Sequence, residues 1–431
     1  LQAGNLKLLD KTRFLATPRP GVRTNARTYY AEHQGRQLIS IHTLLSRSDT
    51  MDTAFRRISP DNGDTWGPPT TVPTYRATPQ GVRRIYPRTG YADPTHQVLI
   101  EFRLEGTLPG DDPLEGMKHW SLFYRLSRDG GRTFYHDGPV VDARAGFSAA
   151  HPFAGVRIGS NSMMIGDQSC APITLASGEL LQPVQITPVG PDGKYHNPGG
   201  GYTYHDAAVL IGHWNASERF DWSLSARVEG DPARSTRGMI EPTVVELPDR
   251  KILMVMRGSN DRRPALPGYK WYSISGDRGR TWTAPVPWGF SDGEAFFSPS
   301  SCSQLLAHSS GRILWIGNIT AENPRGNLPR YPLVIGEVDP GSRRLIRASL
   351  CTIDGRRDGD EQPGPDSPDL MLSNFFARED RATGDVLVHC SPVNRTRIGA
   401  GAGSGDDREG ASEMDWTADA WLYRIGVDPA G

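Results

Sequence analysis

Apolar residues along this chain come in short runs, at 38–43, 97–102, 207–211, 243–247, 252–256, 313–316 and 333–335, with turn-forming residues between them. Runs of that length, rich in β-branched and aliphatic side chains, predict strands. Composition points the same way. The 431 residues include 48 Gly and 35 Pro, which punctuate turns and are disfavoured inside helices. Many short strands joined by such turns predict an all-β barrel, sandwich or propeller.

One pattern recurs and narrows that choice. Ser59, Asp61, Gly63, Thr65 and Trp66 stand at the same relative positions as Ser127, Asp129, Gly131, Thr133 and Phe134, and as Ser275, Asp277, Gly279, Thr281 and Trp282. Each set follows a strand-like run and describes a hairpin turn. The Asp carboxylate accepts backbone N–H groups within the turn and the Gly supplies a positive φ. Thr restarts a strand, and the aromatic ring plugs the turn. The serines lie 68 and then 148 residues apart, so the second interval holds two repeats. A degenerate copy is expected at 211–222, and a further turn at 338–342. A repeat of roughly 70 residues over this length makes about six four-stranded blades. The expected architecture is therefore all-β, a six-bladed β-propeller filling 1–431 as a single domain. The run 416–427 is expected to add the strand that closes the ring, and the Pro- and Gly-rich stretches 188–201 and 399–410 to form surface insertions.

Charge and cysteine content bear on partners. A formal net charge of −1 supplies no basic field for nucleic acid. No stretch of about 18 apolar residues suits a membrane-spanning helix. Cys170, Cys302, Cys351 and Cys390 lack metal-ligand spacing and are expected to be buried thiols. The eleven His show neither HxxxH nor HExxH spacing, so neither a metal nor another cofactor is expected. The first residues, Leu1-Gln2-Ala3-Gly4, include no Met and no basic-plus-apolar leader. A secreted or periplasmic location is favoured if a signal peptide has been removed.

The repeated turn is the Asp box, and with it the chain resembles the sialidase (neuraminidase) superfamily. There the boxes are structural and lie on the rim away from the catalytic pocket, which gives Asp61, Asp129 and Asp277 no catalytic part. The resemblance implies an exo-acting glycoside hydrolase that takes a terminal sialic-acid-like sugar from a glycan. It also implies three arginines on the sugar carboxylate, an Asp general acid/base and a Tyr–Glu pair at the anomeric carbon. The segment Gly238-Met239-Ile240-Glu241-Pro242 and the following run to Arg257 resemble the hairpin in which a Glu-Pro opens a blade's inner strand and an Arg ends the next. Glu241 then matches the glutamate of the pair and Arg257 the second arginine; a cross-strand ion pair is the purely structural alternative. Asp52, ahead of the strand feeding the first box, matches the acid/base, with Asp49 as the alternative. Arg27 matches the first arginine, with Arg23 as second choice, and Arg330 the third, with Arg325 as alternative. Guanidiniums are permanently charged and pair bidentately with carboxylates, so three in one pocket call for an anionic ligand. His151, Gln168, His205 and Glu294 are further pocket candidates, unranked by the sequence.

The chain departs from the superfamily pattern at the nucleophile. Beyond Arg330 its only tyrosines are Tyr331 and Tyr423, and 367–376, where the pattern places that tyrosine, holds none. A neutral phenol approaches an anomeric carbon bearing a carboxylate more readily than a second carboxylate does. Its loss opens three alternatives: inversion by activated water with Asp366 or Asp369 as base, a sialidase-fold glycosidase for another sugar (uronic acid, other ulosonic acid or arabinose), and a non-catalytic carbohydrate-binding propeller.

Overall fold

The computed structural model describes residues 5–356, 369–395 and 416–428. Among the described residues six sheets of four or five strands each are arranged as the blades of a propeller, and Asp369–Met371 pairs with Val393–Arg395 in a separate two-stranded sheet. The first blade runs Arg23–Tyr30, Leu38–Leu45, Thr53–Ser59 and Thr70–Val72. The second runs Gly81–Asp93, Val98–Leu108, Ser121–Ser127 and His136–Pro139, with Tyr75–Thr78 folded back onto its first strand. The third is built on Leu180–Ile186, Asp206–Trp214 and Phe220–Leu224, and the fourth on Ile240–Glu246, Ile252–Arg257, Lys270–Ser275 and Val286–Pro287. The fifth holds Gln304–Ala307, Ile313–Asn318, Leu333–Asp339 and Arg344–Leu345. First strands of blades four, five, six, one and two pack side by side around the axis.

Middle strands are covered on both faces by neighbouring blades, so they are apolar throughout rather than alternating. Leu180–Ile186 and Ile252–Arg257 are buried at every position. Aromatic rings fill the wedge between blades: Phe102, Tyr124 and Trp222 meet between the second and third, and Trp288 packs edge-on to Trp315 between the fourth and fifth.

The sixth blade corrects the expected closure. Ala420–Val427 is its third strand rather than its last, after Phe376–Glu379 and Val386–Cys390, and the N-terminal Leu6–Leu15 pairs antiparallel with it as the fourth. Both ends of the chain thus share one sheet.

Each Asp box joins the third strand of a blade to the fourth. The Thr65, Thr133 and Thr281 N–H groups donate to Asp61, Asp129 and Asp277 Oδ1 at 2.8, 2.9 and 2.9 Å. Gly131 and its counterparts Gly63 and Gly279 take φ of 79°, 98° and 84°, as the turn requires. The turn after Trp214 and the turn after Asp339 occupy the same place in blades three and five, where the degenerate copies were expected. Third strands therefore end on the box face. Because neighbours are antiparallel, first and third strands begin, and second strands end, on the opposite face.

Cys170, Cys302 and Cys390 are buried free thiols, while Cys351 is only half-buried. Among the described residues no helix is long and apolar enough to cross a membrane, and no group of three or more His, Cys, Asp or Glu is placed to hold a metal. The stretch 399–410 and Asp366 lie outside the described residues, as does the Asp369 side chain.

Candidate active site

The face opposite the boxes gathers arginines from several blades. On the first blade's inner strand, residues 23, 25 and 27 point the same way because side chains alternate. Arg27 Nη2 donates to the carbonyls of Pro87 and Arg88, each at 2.9 Å, and its Nη1 lies 3.4 Å from Gln168 Oε1. Arg257, at the end of a second strand, donates from Nε to Ser300 Oγ at 2.8 Å and from Nη2 to Asn327 Oδ1 at 3.0 Å. Arg330, just ahead of a third strand, donates to the carbonyls of Ser300 and Asn327, both at 3.0 Å. Its Nη1 is 3.3 Å from Ser373 Oγ, while Arg23 Nη2 donates to the Ser373 carbonyl at 2.9 Å. Arg257 and Arg330 thus share Ser300 and Asn327, and Arg330 and Arg23 share Ser373. Arg27 joins them through Gln168, whose amide donates to the neighbouring Asn374 carbonyl. Arg325 is exposed and stands outside this network. Burial pulls both Arg27 and Arg330 down to about 10, with like-charged neighbours adding to it.

Glu241 reaches the same place through a local distortion. Ile240 pairs with Arg257, and a bulge follows before Thr243 resumes the register. Glu241 sits in that bulge with φ of 46°, a left-handed conformation unfavourable for a residue before proline and costing about 1–3 kcal/mol. Its N–H donates to Gln185 Oε1 at 2.9 Å, and the Gln185 amide lies 3.1 Å from His205 Nε2. The Oε1 atom accepts from Arg257 Nη1 at 2.7 Å. Oε2 is buried and has no hydrogen-bond partner among the described residues. Burial pushes the Glu241 carboxyl up, but Arg257, with Arg330 and Arg237 behind it, outweighs that and holds it below its ordinary range. An ionised carboxylate with one free oxygen is equipped to take a proton or accept a hydrogen bond from a ligand.

A second carboxylate stands beside it. Gly166 packs so closely that a Cβ there would run into Gln185 Oε1 and Glu241 Cγ, which brings the next residue, Asp167, against Glu241. Asp167 Oδ2 accepts from Asn374 Nδ2 at 2.6 Å. Burial, then the charge of Glu241, pushes the Asp167 carboxyl above its ordinary range. Adjacent carboxyls driven apart in proton affinity are a common basis for dividing acid and base roles.

The two hairpin-loop aspartates are used differently. Asp52 accepts the Ser46 N–H across its own loop at 2.7 Å and acts on Arg84. Asp49, exposed at the loop tip with φ of 55°, lies 3.4 Å from the Tyr202 hydroxyl and within electrostatic reach of Arg88, Arg237 and Arg257. Neither late tyrosine stands at Glu241. Tyr423 is buried in the sixth blade and donates to Asp354 Oδ2 at 2.6 Å, and Tyr331 packs on an apolar cluster with Arg356 5.1 Å above its ring. Ser373 and Asn374 come from the segment where the superfamily pattern has its tyrosine.

Of the unranked candidates, Gln168 and His205 belong to this network. His151 packs against Phe147, and Glu294 pairs with Arg347 on the surface. Sequence reasoning passed over Arg88, Asp167, Tyr202, Arg237 and Asn374. The stretch 188–201, expected as a surface insertion, leads directly into Tyr202, and its Gly199 and Gly201 press against Thr236 and Arg237. Close-packed glycines in an otherwise polar loop were the available signal.

The fold agrees with comparisons to known proteins. Residues 114–343 match the model of the BNR repeat-like domain family. No curated protein matches the sequence significantly. A protein of unknown function from Dyadobacter fermentans is similar in structure at a TM-score of 0.58 and 12% identity, covering 98% of this chain and 99% of that one. A variant of the NanB sialidase from Streptococcus pneumoniae is similar at 0.55 and 11% identity, covering 93% and 68%. An intramolecular trans-sialidase from Ruminococcus gnavus is similar at 0.55 and 12%, covering 92% and 93%. Identities this low carry the fold alone. With its Asp boxes, its six blades and a family match over more than half its length, the chain belongs to the BNR repeat-like domain family, and it shares its fold with sialidases.

Proposed function

We propose that this chain, as one propeller domain over 1–431, is an exo-acting glycoside hydrolase that releases a terminal sialic-acid-like acidic sugar from a glycan. The arginine group carries this reading. Arg257 and Arg330 converge on Ser300 and Asn327, Arg27 joins through Gln168, and neither Arg27 nor Arg330 has a carboxylate partner among the described residues. Guanidiniums withdrawn from water, fully at Arg27 and partly at Arg330, and bonded only to neutral acceptors are costly until an anion completes them. In this reading Arg27, Arg257 and Arg330 hold the sugar carboxylate. Between Asp52 and Asp49, the place of Asp49 at the exposed loop tip, 3.4 Å from the Tyr202 hydroxyl, favours it as general acid, with Asp52 bracing the loop. As the glycosidic C–O bond breaks, the acid's proton passes to the leaving oxygen and positive charge builds on the anomeric carbon. Glu241, ionised beside Arg257, takes a proton through Oε2 from the water that attacks that carbon. The released sugar then has inverted configuration. The absence of a tyrosine from 367–376 supports this route over a covalent tyrosyl intermediate.

That absence also favours a second reading, in which the same cradle serves a uronic or other ulosonic acid. The deciding experiment is hydrolysis of aryl glycosides of sialic acid, other ulosonic acids, uronic acids and arabinose, with NMR of the first-released anomer. Inverted sialic acid is the expected product. Turnover of a different acidic sugar alone selects the second reading. Binding of free acidic sugars without any turnover leaves a carbohydrate-binding propeller, and turnover of arabinosides alone removes the carboxylate clamp.

A further inference from the structure

Resting on the reading of Arg27, Arg257 and Arg330 as a carboxylate clamp, we infer that the same face holds a second anion subsite, built by Arg88 and Arg237. The substrate then carries a second acidic group, a carboxylate, sulfate or phosphate ester, close to the scissile bond.

Charge imbalance is the first ground. Six arginines stand on this face, Arg23, Arg27, Arg88, Arg237, Arg257 and Arg330, and among the described residues only Arg257 makes an ion pair, with Glu241. The carboxylates facing them are Asp49, Asp167, Glu241 and, beside Arg237, Asp261, so six guanidiniums face four carboxylates. A single sugar carboxylate offers two oxygens, which the clamp already uses.

The two remaining side chains are anchored yet incompletely bonded. Arg88 is half-buried; its main-chain carbonyl holds Arg27 at 2.9 Å, while its guanidinium makes no hydrogen bond or ion pair among the described residues and its Nε is buried without a partner. Arg237 is buried and donates from Nη2 to Thr203 Oγ1 at 2.7 Å, and its Nε too is buried without a partner. Its guanidinium lies 5.5 Å from the centre of the Tyr202 ring, and a Cβ on Gly201 would come within 2.6 Å of its stem. The loop is shaped to admit this arginine.

Nearby carboxylates are committed elsewhere. Asp167, closest in influence to Arg88, is held by Asn374; Asp261, near Arg237, accepts from Thr236, Arg262 and Tyr202. Asp49 links the two arginines: its carboxylate is 3.4 Å from the hydroxyl of Tyr202, whose ring centre is 5.5 Å from the Arg237 guanidinium, and its main-chain carbonyl accepts from the hydroxyl of Tyr86, two residues before Arg88, at 3.3 Å. It is also the carboxylate favoured as proton donor, so the second acidic group lies beside the leaving oxygen.

Equilibrium dialysis of the full chain against radiolabelled inorganic phosphate tests this. Wild type is expected to bind two phosphates. Arg88→Gln and Arg237→Gln should each weaken one of the two by about tenfold or more and leave the other unchanged, whereas Arg330→Gln weakens the other. Arg88→Lys and Arg237→Lys keep the charge and should retain both, which guards against a folding defect in the glutamine variants. Competition by acetate and by sulfate at the Arg88–Arg237 site then separates a carboxylate partner from a sulfate or phosphate ester. A single phosphate in wild type that Arg330→Gln abolishes would overturn the subsite and leave the clamp standing. Two phosphates retained in the Arg88→Gln/Arg237→Gln double variant would overturn the subsite as well. Retention of both in Arg330→Gln would overturn the clamp instead.

Discussion

The Asp-box rim and the arginine face use the same residue types, Asp, Ser, Thr and Arg, and treat them in opposite ways. On the rim the Ser, Asp, Gly and Thr of each box find their partners within one turn. Ser127 Oγ accepts the Gly131 N–H at 2.8 Å and donates to Asp129 Oδ1 at 2.8 Å, and Asp129 Oδ2 receives the Thr133 hydroxyl at 2.6 Å. On the opposite face the partners are remote. Glu241 meets Arg257 sixteen residues on, Asp167 meets Asn374 across 207 residues, and buried Nε and Oε2 atoms are left unbonded. Carboxyls are held low on both faces, by local hydroxyl and N–H donors at Asp129 and by Arg257 against burial at Glu241. A depressed carboxylate therefore does not by itself mark a site; the unsatisfied neighbours do.

The contrast breaks most sharply at Arg257. Arg257→Ala leaves Glu241 as an uncompensated buried charge, and the expected cost is about 3–5 kcal/mol in denaturant unfolding, with turnover lost. Adding Glu241→Gln should recover most of the stability and none of the turnover. If Arg257→Ala alone keeps wild-type kinetics, the arginine face is structural like the rim. Next comes the hairpin loop. Asp49→Asn is expected to slow substrates with poor leaving groups by about 10²–10⁴-fold, and activated aryl glycosides far less. Asp52→Asn should disturb only the loop. The reverse ranking would return the acid role to Asp52. A smaller effect is expected on the rim: Ser127→Ala removes a buried hydroxyl with three hydrogen bonds, costing about 1–3 kcal/mol with turnover unchanged. Impaired turnover in a folded Ser127→Ala protein would mean that the two faces are coupled.

The same distinction explains what the sequence disclosed. The boxes were legible because donor and acceptor lie within one turn, so the spacing of Ser, Asp, Gly and Thr already specifies the bonds. Their interval then fixed the blade count. The pairing of Glu241 with Arg257 was legible for a similar reason, since a hairpin joins them. Arg88, Asp167, Tyr202 and Arg237 were not, because propeller closure, rather than local spacing, brings blades two, three and four into one face. Ring closure itself was misplaced, as Leu6–Leu15 mixes apolar and charged residues and is largely half-buried or exposed, which suits an outermost strand but does not announce its distant partner.

The adjacent carboxyls offer the subtlest test of the arginine face. Asp167 is raised above 3.8 chiefly by burial and then by Glu241. In that window the native state binds more protons than the unfolded chain, so the Asp167 contribution to stability falls as pH rises through it. Glu241 is depressed below 4.5 because Arg257 outweighs burial, so its contribution is present at neutral pH and is lost as pH falls through the native value. The two replacements should therefore tilt in opposite directions in urea unfolding between about pH 3 and 7. Relative to wild type, Asp167→Asn should become more favourable as pH rises, and Glu241→Gln less favourable. Two slopes of the same sign would show that burial and Arg257 do not divide proton affinity between these neighbours, and would deprive Asp167 of any claim to hold a proton beside an ionised Glu241.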